Sequence, residues 1–94
     1  MFSIFKCNKC AKLNKKISIN SPSALESIIK KVNGYIWNET LNAWVNHTSE
    51  HKESVRKVVY SDIVDYEFKC NFCNKKYKLE AETYHGQGGT WEPM

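Results

Sequence analysis

Cys7-Asn8-Lys9-Cys10 and Cys70-Asn71-Phe72-Cys73 hold all four cysteines of a 94-residue chain. Each C-x-x-C bracket presents two soft sulfur donors from one tight backbone turn. Two brackets brought together make the tetrahedral donor set of a zinc site. Cys7, Cys10, Cys70 and Cys73 are therefore the expected ligands of Zn2+. Four thiolates leave no coordination position for a substrate, so the expected role of the ion is structural and not catalytic. The same cage also accepts iron, and sulfur alone does not choose between the two metals. A redox dithiol fits less well, because such pairs open a helix, whereas both brackets here lead into lysine-rich, strand-like sequence.

Other chemistry-bearing groups offer less. His47-Thr48-Ser49-Glu50-His51 matches the H-x-x-E-H pattern of some zinc proteases, which needs both histidines on one helical face beside a substrate cleft. Here the stretch follows a β-like segment in polar surroundings, and a solvated turn or a helix start near Ser49 is the expectation. Gly86-Gln87-Gly88-Gly89 lacks the helix and the Lys-Ser/Thr that phosphate loops use. Those glycines are expected to turn the tail so that Trp91 packs back on the sheet. No nucleophile–base pair can be assembled, so no catalytic residue is assigned and the chain is expected not to be an enzyme.

The elements that must position the brackets follow from periodicity. Residues 2–6 read as a strand entering the first bracket, and Lys16–Asn20 alternates at period two as its returning partner. Ser21 as N-cap with Pro22 at N1, or a capping box from Ser23 to Glu26, starts a helix predicted at about 22–33. Leu25, Ile28, Ile29 and Val32 form its apolar stripe, Lys30 and Lys31 its last turn, and Gly34 its stop. Residues 35–37 and 41–48 are predicted to form a hairpin across Asn38-Glu39-Thr40, with 49–57 a loop or short helix. Strands are predicted over 58–69, ending in the second bracket, and over 77–84. The whole is predicted as one domain over 1–94: an α+β fold, a mostly antiparallel sheet with one helix, whose N- and C-terminal parts the metal joins. A chain this size buries only about 60–65% of its unfolded surface, so a structural metal would make up for a marginal core.

Around the second bracket the sequence resembles a zinc ribbon: an incoming strand, Cys70-Asn-Phe-Cys73, then Asn74-Lys75-Lys76-Tyr77 leading into another strand. In such turns the residue after the second cysteine often takes φ > 0, which aims N–H groups at the sulfurs, and Asn74 tolerates that conformation. Ala11 holds the corresponding place in the first bracket and tolerates it poorly, so a differently shaped turn is expected there. The resemblance covers about 25 residues and implies a metal-binding fold, with the 59 residues between Cys10 and Cys70 as a long insertion.

Charge placement suggests partners. Lys6, Lys9, Lys12, Lys15 and Lys16 share residues 1–20 with no acid, and Lys69, Lys75, Lys76 and Lys78 share 68–79 with none. Those nine lysines stand against a remainder of five basic and ten acidic residues within a net charge of +4. Part of the excess compensates the −2 of a Zn(Cys)4 centre. Lys9, Lys12, Lys15, Lys16, Lys75, Lys76 and Lys78 are candidates for holding a nucleic-acid backbone, without the arginines that base reading favours.

The acidic remainder suggests a basic protein partner, such as a toxin or nuclease. Glu50, Glu53, Asp62 and Asp65, with Tyr84, His85 and Trp91, are the candidate partner-binding residues. A short, aromatic-rich, acidic-patched chain bears a general similarity to inhibitors of the immunity-protein or antitoxin kind. That similarity implies steric occlusion of the partner, with nucleic-acid binding through the lysine-rich metal end as the alternative. No apolar run approaches 18 residues and no signal-peptide pattern opens the chain, so no membrane span and a cytoplasmic location are expected, where thiols stay reduced.

Overall fold

Ser21 opens the helix as read from sequence: its Oγ accepts from the Ala24 N–H at 3.2 Å, and Pro22 occupies the first turn. The helix, α1, spans Pro22–Trp37 in a computed structural model that describes residues 7–48, 50–83 and 88–94. Leu25, Ile28, Ile29 and Val32 are its buried stripe. Gly34 does not end it. A glycine inside a helix costs about 1 kcal/mol, but Tyr35 and Ile36 beyond it pack against the core.

The helix stops instead at Glu39, which takes the left-handed conformation at φ 67°. The Glu39 N–H bonds the Ile36 carbonyl at 3.0 Å and the Thr40 N–H bonds that of Tyr35 at 2.9 Å, the Schellman pattern. The hairpin predicted over 35–48 is therefore a helix end followed by a strand. Lys30 and Lys31 fall before the last turn.

Around α1 lies a six-stranded antiparallel sheet of β1 (Ile17–Ile19), β2 (Leu41–Asn46), β3 (Lys52–Val55), β4 (Ile63–Cys70), β5 (Lys76–Glu82) and β6 (Gly88–Pro93). Their spatial order is β1-β6-β5-β4-β2-β3. The α+β class with one helix and an antiparallel sheet is as the sequence predicts. The strand partners differ in several places. β1 pairs with β6, Ile17 opposite Trp91; the strand predicted over 2–6 lies outside the described residues. The segment predicted as loop or short helix supplies β3, a short charged strand at the sheet edge, where charge blunts edge-to-edge association.

Residues 58–62, predicted as strand, are loop. Asn33 replaces the ladder there, its Oδ1 accepting the Val58 N–H at 2.7 Å and its Nδ2 donating to the Val58 carbonyl at 3.0 Å. Within the glycine-rich tail, Gly88–Pro93 is a strand where the sequence predicts a loop. Gly88 and Gly89 open β6, which runs between β1 and β5. A methyl group on Gly89 would run into the Glu80 carbonyl and Cα of Ala81.

One face of the sheet carries the core. Trp91 does pack back on the sheet, as its fully buried central side chain. Its ring stacks on Tyr77 at 5.2 Å, meets Phe68 at 5.1 Å, and its Nε1 donates to the Leu13 carbonyl at 2.8 Å. The other face presents the out-pointing residues of the same strands, among them Trp44, Asp65, Glu67, Lys69, Lys78 and Glu80, and no helix covers it among the described residues.

Candidate metal centre

The two brackets arrive at one place by different routes. β4 delivers Cys70 at its last residue, and the chain turns through Asn71-Phe72-Cys73 into β5. In this turn the Asn74 N–H bonds the Cys70 carbonyl at 2.9 Å, the Phe72 N–H points at Cys70 Sγ at 3.4 Å, and Asn74 has φ 66°. The turn is zinc-ribbon-like, with Asn74 in the left-handed conformation that the sequence predicts. The first bracket is shaped differently, also as predicted. Ala11 begins a one-turn 3-10 helix, Ala11–Leu13, that buries Leu13 beneath the sheet.

The four sulfurs lie within 4.8 Å of one another. Across the brackets, Cys7 and Cys70 Sγ are 3.8 Å apart, and Cys10 and Cys73 Sγ 3.6 Å apart. A tetrahedron with Zn–S bonds of about 2.3 Å has edges of about 3.8 Å. The gaps match such a cage and are far too long for a disulfide bond of about 2.05 Å. All four cysteines are free thiols, Cys10 and Cys70 buried and the other two half-buried. The residues present therefore fit a metal ion such as zinc.

Protons and donors around the sulfurs point the same way. Burial pushes the Cys10 thiol up to about 12, against the pull of the Tyr77 hydroxyl. Burial also raises Cys73, against the Lys75 N–H. Burial pushes Cys7 up too, but the N–H groups of Cys10 and Lys9 and the thiols of Cys70 and Cys73 outweigh it and bring the group to about 7. A cation binding here must displace the remaining thiol protons, and each N–H or O–H aimed at a sulfur stabilises the anion that results.

Two supporting residues escaped the sequence reading. Tyr77, fully buried, donates its hydroxyl to Cys10 Sγ at 3.1 Å. Its parity with Leu79 and Ala81 already marks it as inward-facing. Asn71 donates from its Nδ2 to the Glu39 carbonyl at 2.7 Å and from its N–H to the Thr40 carbonyl at 2.8 Å. It ties the end of α1 to the second bracket, a contact that no local pattern signals.

The remaining predicted residues separate by end. Lys75 and Lys76 line a cleft of about 740 Å³ with Cys7, Cys10, Cys73 and Tyr77. Lys9 and Lys12 lie in and just after the first bracket, with Lys15 and Lys16 leading to β1. Lys78 instead stands opposite Glu67 and Glu92 on the open sheet face.

Asp65 pairs with Asn46 at the far end of β4 and β2, with Asp62 just before β4. Glu50 and Glu53 follow on the β2–β3 hairpin at that same end. There His47 and His51 stack at 5.1 Å, and His47 Nε2 meets Glu53 Oε1 at 2.8 Å, a solvated turn and not a helical face. Trp91 sits in the core, which removes it from any surface role in this fold. Tyr84, His85 and Ser49 lie outside the described residues. None of the described helices is long and apolar enough to cross a membrane.

Compared with family models, with curated proteins and with solved structures, the chain finds no match.

Proposed function

We propose that this chain is a non-enzymatic, zinc-stabilised binding protein that acts on another protein, as an inhibitor of the immunity-protein or antitoxin kind in the cytoplasm. Zinc fits the donor set, and four thiolates leave it no position at which to activate water or a substrate. Its work is then to hold the chain's two ends together. The observation that carries the reading lies at the opposite end of the sheet. There Ile63, 68% exposed, lines a groove with Asp65, Glu80 and Glu82, and the loop leading to it through Asp62 leaves Val59 53% and Tyr60 39% exposed.

Apolar side chains left in water and framed by carboxylates suit a basic protein surface, such as that of a nuclease. The acids steer encounter and the apolar residues anchor contact. The eight residues of β4 put about 24 Å between this end and Cys70. That is two to three times the Debye length of about 8 Å at physiological salt, so the two ends act electrically apart.

The test is affinity capture from the source cell with the wild-type chain and with Asp62→Lys/Asp65→Lys and Ile63→Asp variants. The reading expects one basic protein retained by the wild type, bound about tenfold or more weakly by either variant, and inhibited on binding. A partner bound equally by all three chains, or none at all, contradicts it.

A further inference from the structure

Trp37 is 88% exposed and Phe72 is 57% exposed, both at the metal end of the molecule. They stand on two turns that Asn71 ties together, through the carbonyls of Glu39 and Thr40, two and three residues beyond Trp37. Lys9 places its ammonium over the Phe72 ring, 5.4 Å from the centroid. Tryptophan is usually among the most buried side chains on average, and single exposed apolar residues need no explanation. Here, however, two exposed aromatic rings stand at neighbouring turns, one of them with a lysine ammonium over its face.

Lys9 lies over Phe72, Lys75 and Lys76 line the cleft beside Cys73, and Glu39 stands on the turn that follows Trp37. Lysine is depleted at protein–protein interface cores, whereas aromatic faces with lysines alongside are how single strands are held.

We propose that Trp37 and Phe72 form a base-stacking platform for single-stranded nucleic acid, with Lys9 and Lys75 engaging its phosphates. The aromatic faces accept any base, and the absence of an arginine cluster leaves the contact without sequence preference. This site is independent of the acidic end and of the inhibitor reading, because its residues lie at the other end of β4.

The experiment titrates the metal-loaded protein with a 15-nucleotide single-stranded RNA of mixed sequence at low salt. It follows tryptophan emission and, separately, anisotropy of a labelled strand. Emission should quench on binding, because Trp37 is the most exposed of the tryptophans. Trp37→Ala and Phe72→Ala should each weaken binding about tenfold, within the range for loss of one stacked base. Trp37→Phe should recover most of that loss, and Lys9→Ala with Lys75→Ala should flatten the salt dependence. Asp62→Lys/Asp65→Lys should leave a working platform in place.

Circular dichroism and metal content confirm that each variant folds, which is expected of substitutions at such exposed positions. Heparin, a polyanion without bases, should bind without quenching. Absence of RNA binding overturns the proposal. So does affinity unchanged by both aromatic variants, or heparin binding that responds to them as RNA does; a merely electrostatic surface would behave in that last way.

Discussion

Removing one oxygen atom tests how the protein would support a metal held by its four cysteines. In Tyr77→Phe the ring remains, stacked on Trp91 at 5.2 Å, and the only loss is a hydroxyl that donates to Cys10 Sγ at 3.1 Å. The hydroxyl's weaker approach to the Cys10 carbonyl, at 3.5 Å, is lost with it. The effect on metal affinity is a difference between two states. Bound to the ion, Cys10 is a thiolate, and a hydrogen bond to a charged group contributes about 1.5–3 kcal/mol. Free of the ion, Cys10 keeps its proton, since burial holds it up at about 12, and a neutral bond contributes about 0.5–1.5 kcal/mol.

The difference, about 1–1.5 kcal/mol, corresponds to roughly tenfold weaker binding, at the lower edge of what outer-shell partners cost elsewhere. Competition against a chromophoric zinc chelator measures it. Near-ultraviolet circular dichroism should show the aromatic stack intact. A well-folded variant whose affinity changes less than twofold would refute the claim that this hydroxyl supports a metal-bound sulfur.

Chelation should uncouple the two brackets and lower the thermal midpoint by ten degrees or more, since structural zinc contributes on the scale of a small domain's whole stability; a midpoint that does not move in a melt with excess chelator contradicts this. Gly89→Ala should cost about 2 kcal/mol or more, because β5 backbone must shift to admit the methyl group, read as a reduced denaturant midpoint at unchanged slope. Glu67 is held below its ordinary range chiefly by the hydrogen bond from Lys52 Nζ at 2.9 Å. Its stabilisation is thus complete above the usual glutamate range and disappears as pH falls through the lowered folded value. Lys52→Ala should therefore destabilise by less than about 1 kcal/mol at neutral pH, and the gap to wild type should close under acid; a gap that widens instead refutes the pairing.

The metal centre was the most legible part of the chain, because ligand type and spacing are local facts. Asn74 was legible for the same reason: one turn demands a left-handed residue, and few side chains accept it. The start of α1 was equally local, fixed by Ser21 and Pro22. Its end was not. Gly34 carries the ordinary stop signal, yet burial of Tyr35 and Ile36 carries the helix onward, and the true stop relies on Asn71, 32 residues from Glu39.

β3 was hidden because an edge strand keeps little apolar periodicity. β6 was hidden because its glycines, normally loop formers, are there to let a neighbouring backbone approach. The loop at 58–62 looked like strand because Val58 is buried, but an asparagine side chain holds its backbone. In each case a tertiary contact overrode a correct local preference.

The central claim is that Cys7, Cys10, Cys70 and Cys73 close around a single ion. Zinc-edge X-ray absorption of the loaded protein measures that coordination shell directly. A shell of four sulfur atoms at about 2.3 Å is the predicted result. A shell containing nitrogen or oxygen, or only two or three sulfurs, would mean that the brackets do not share the metal.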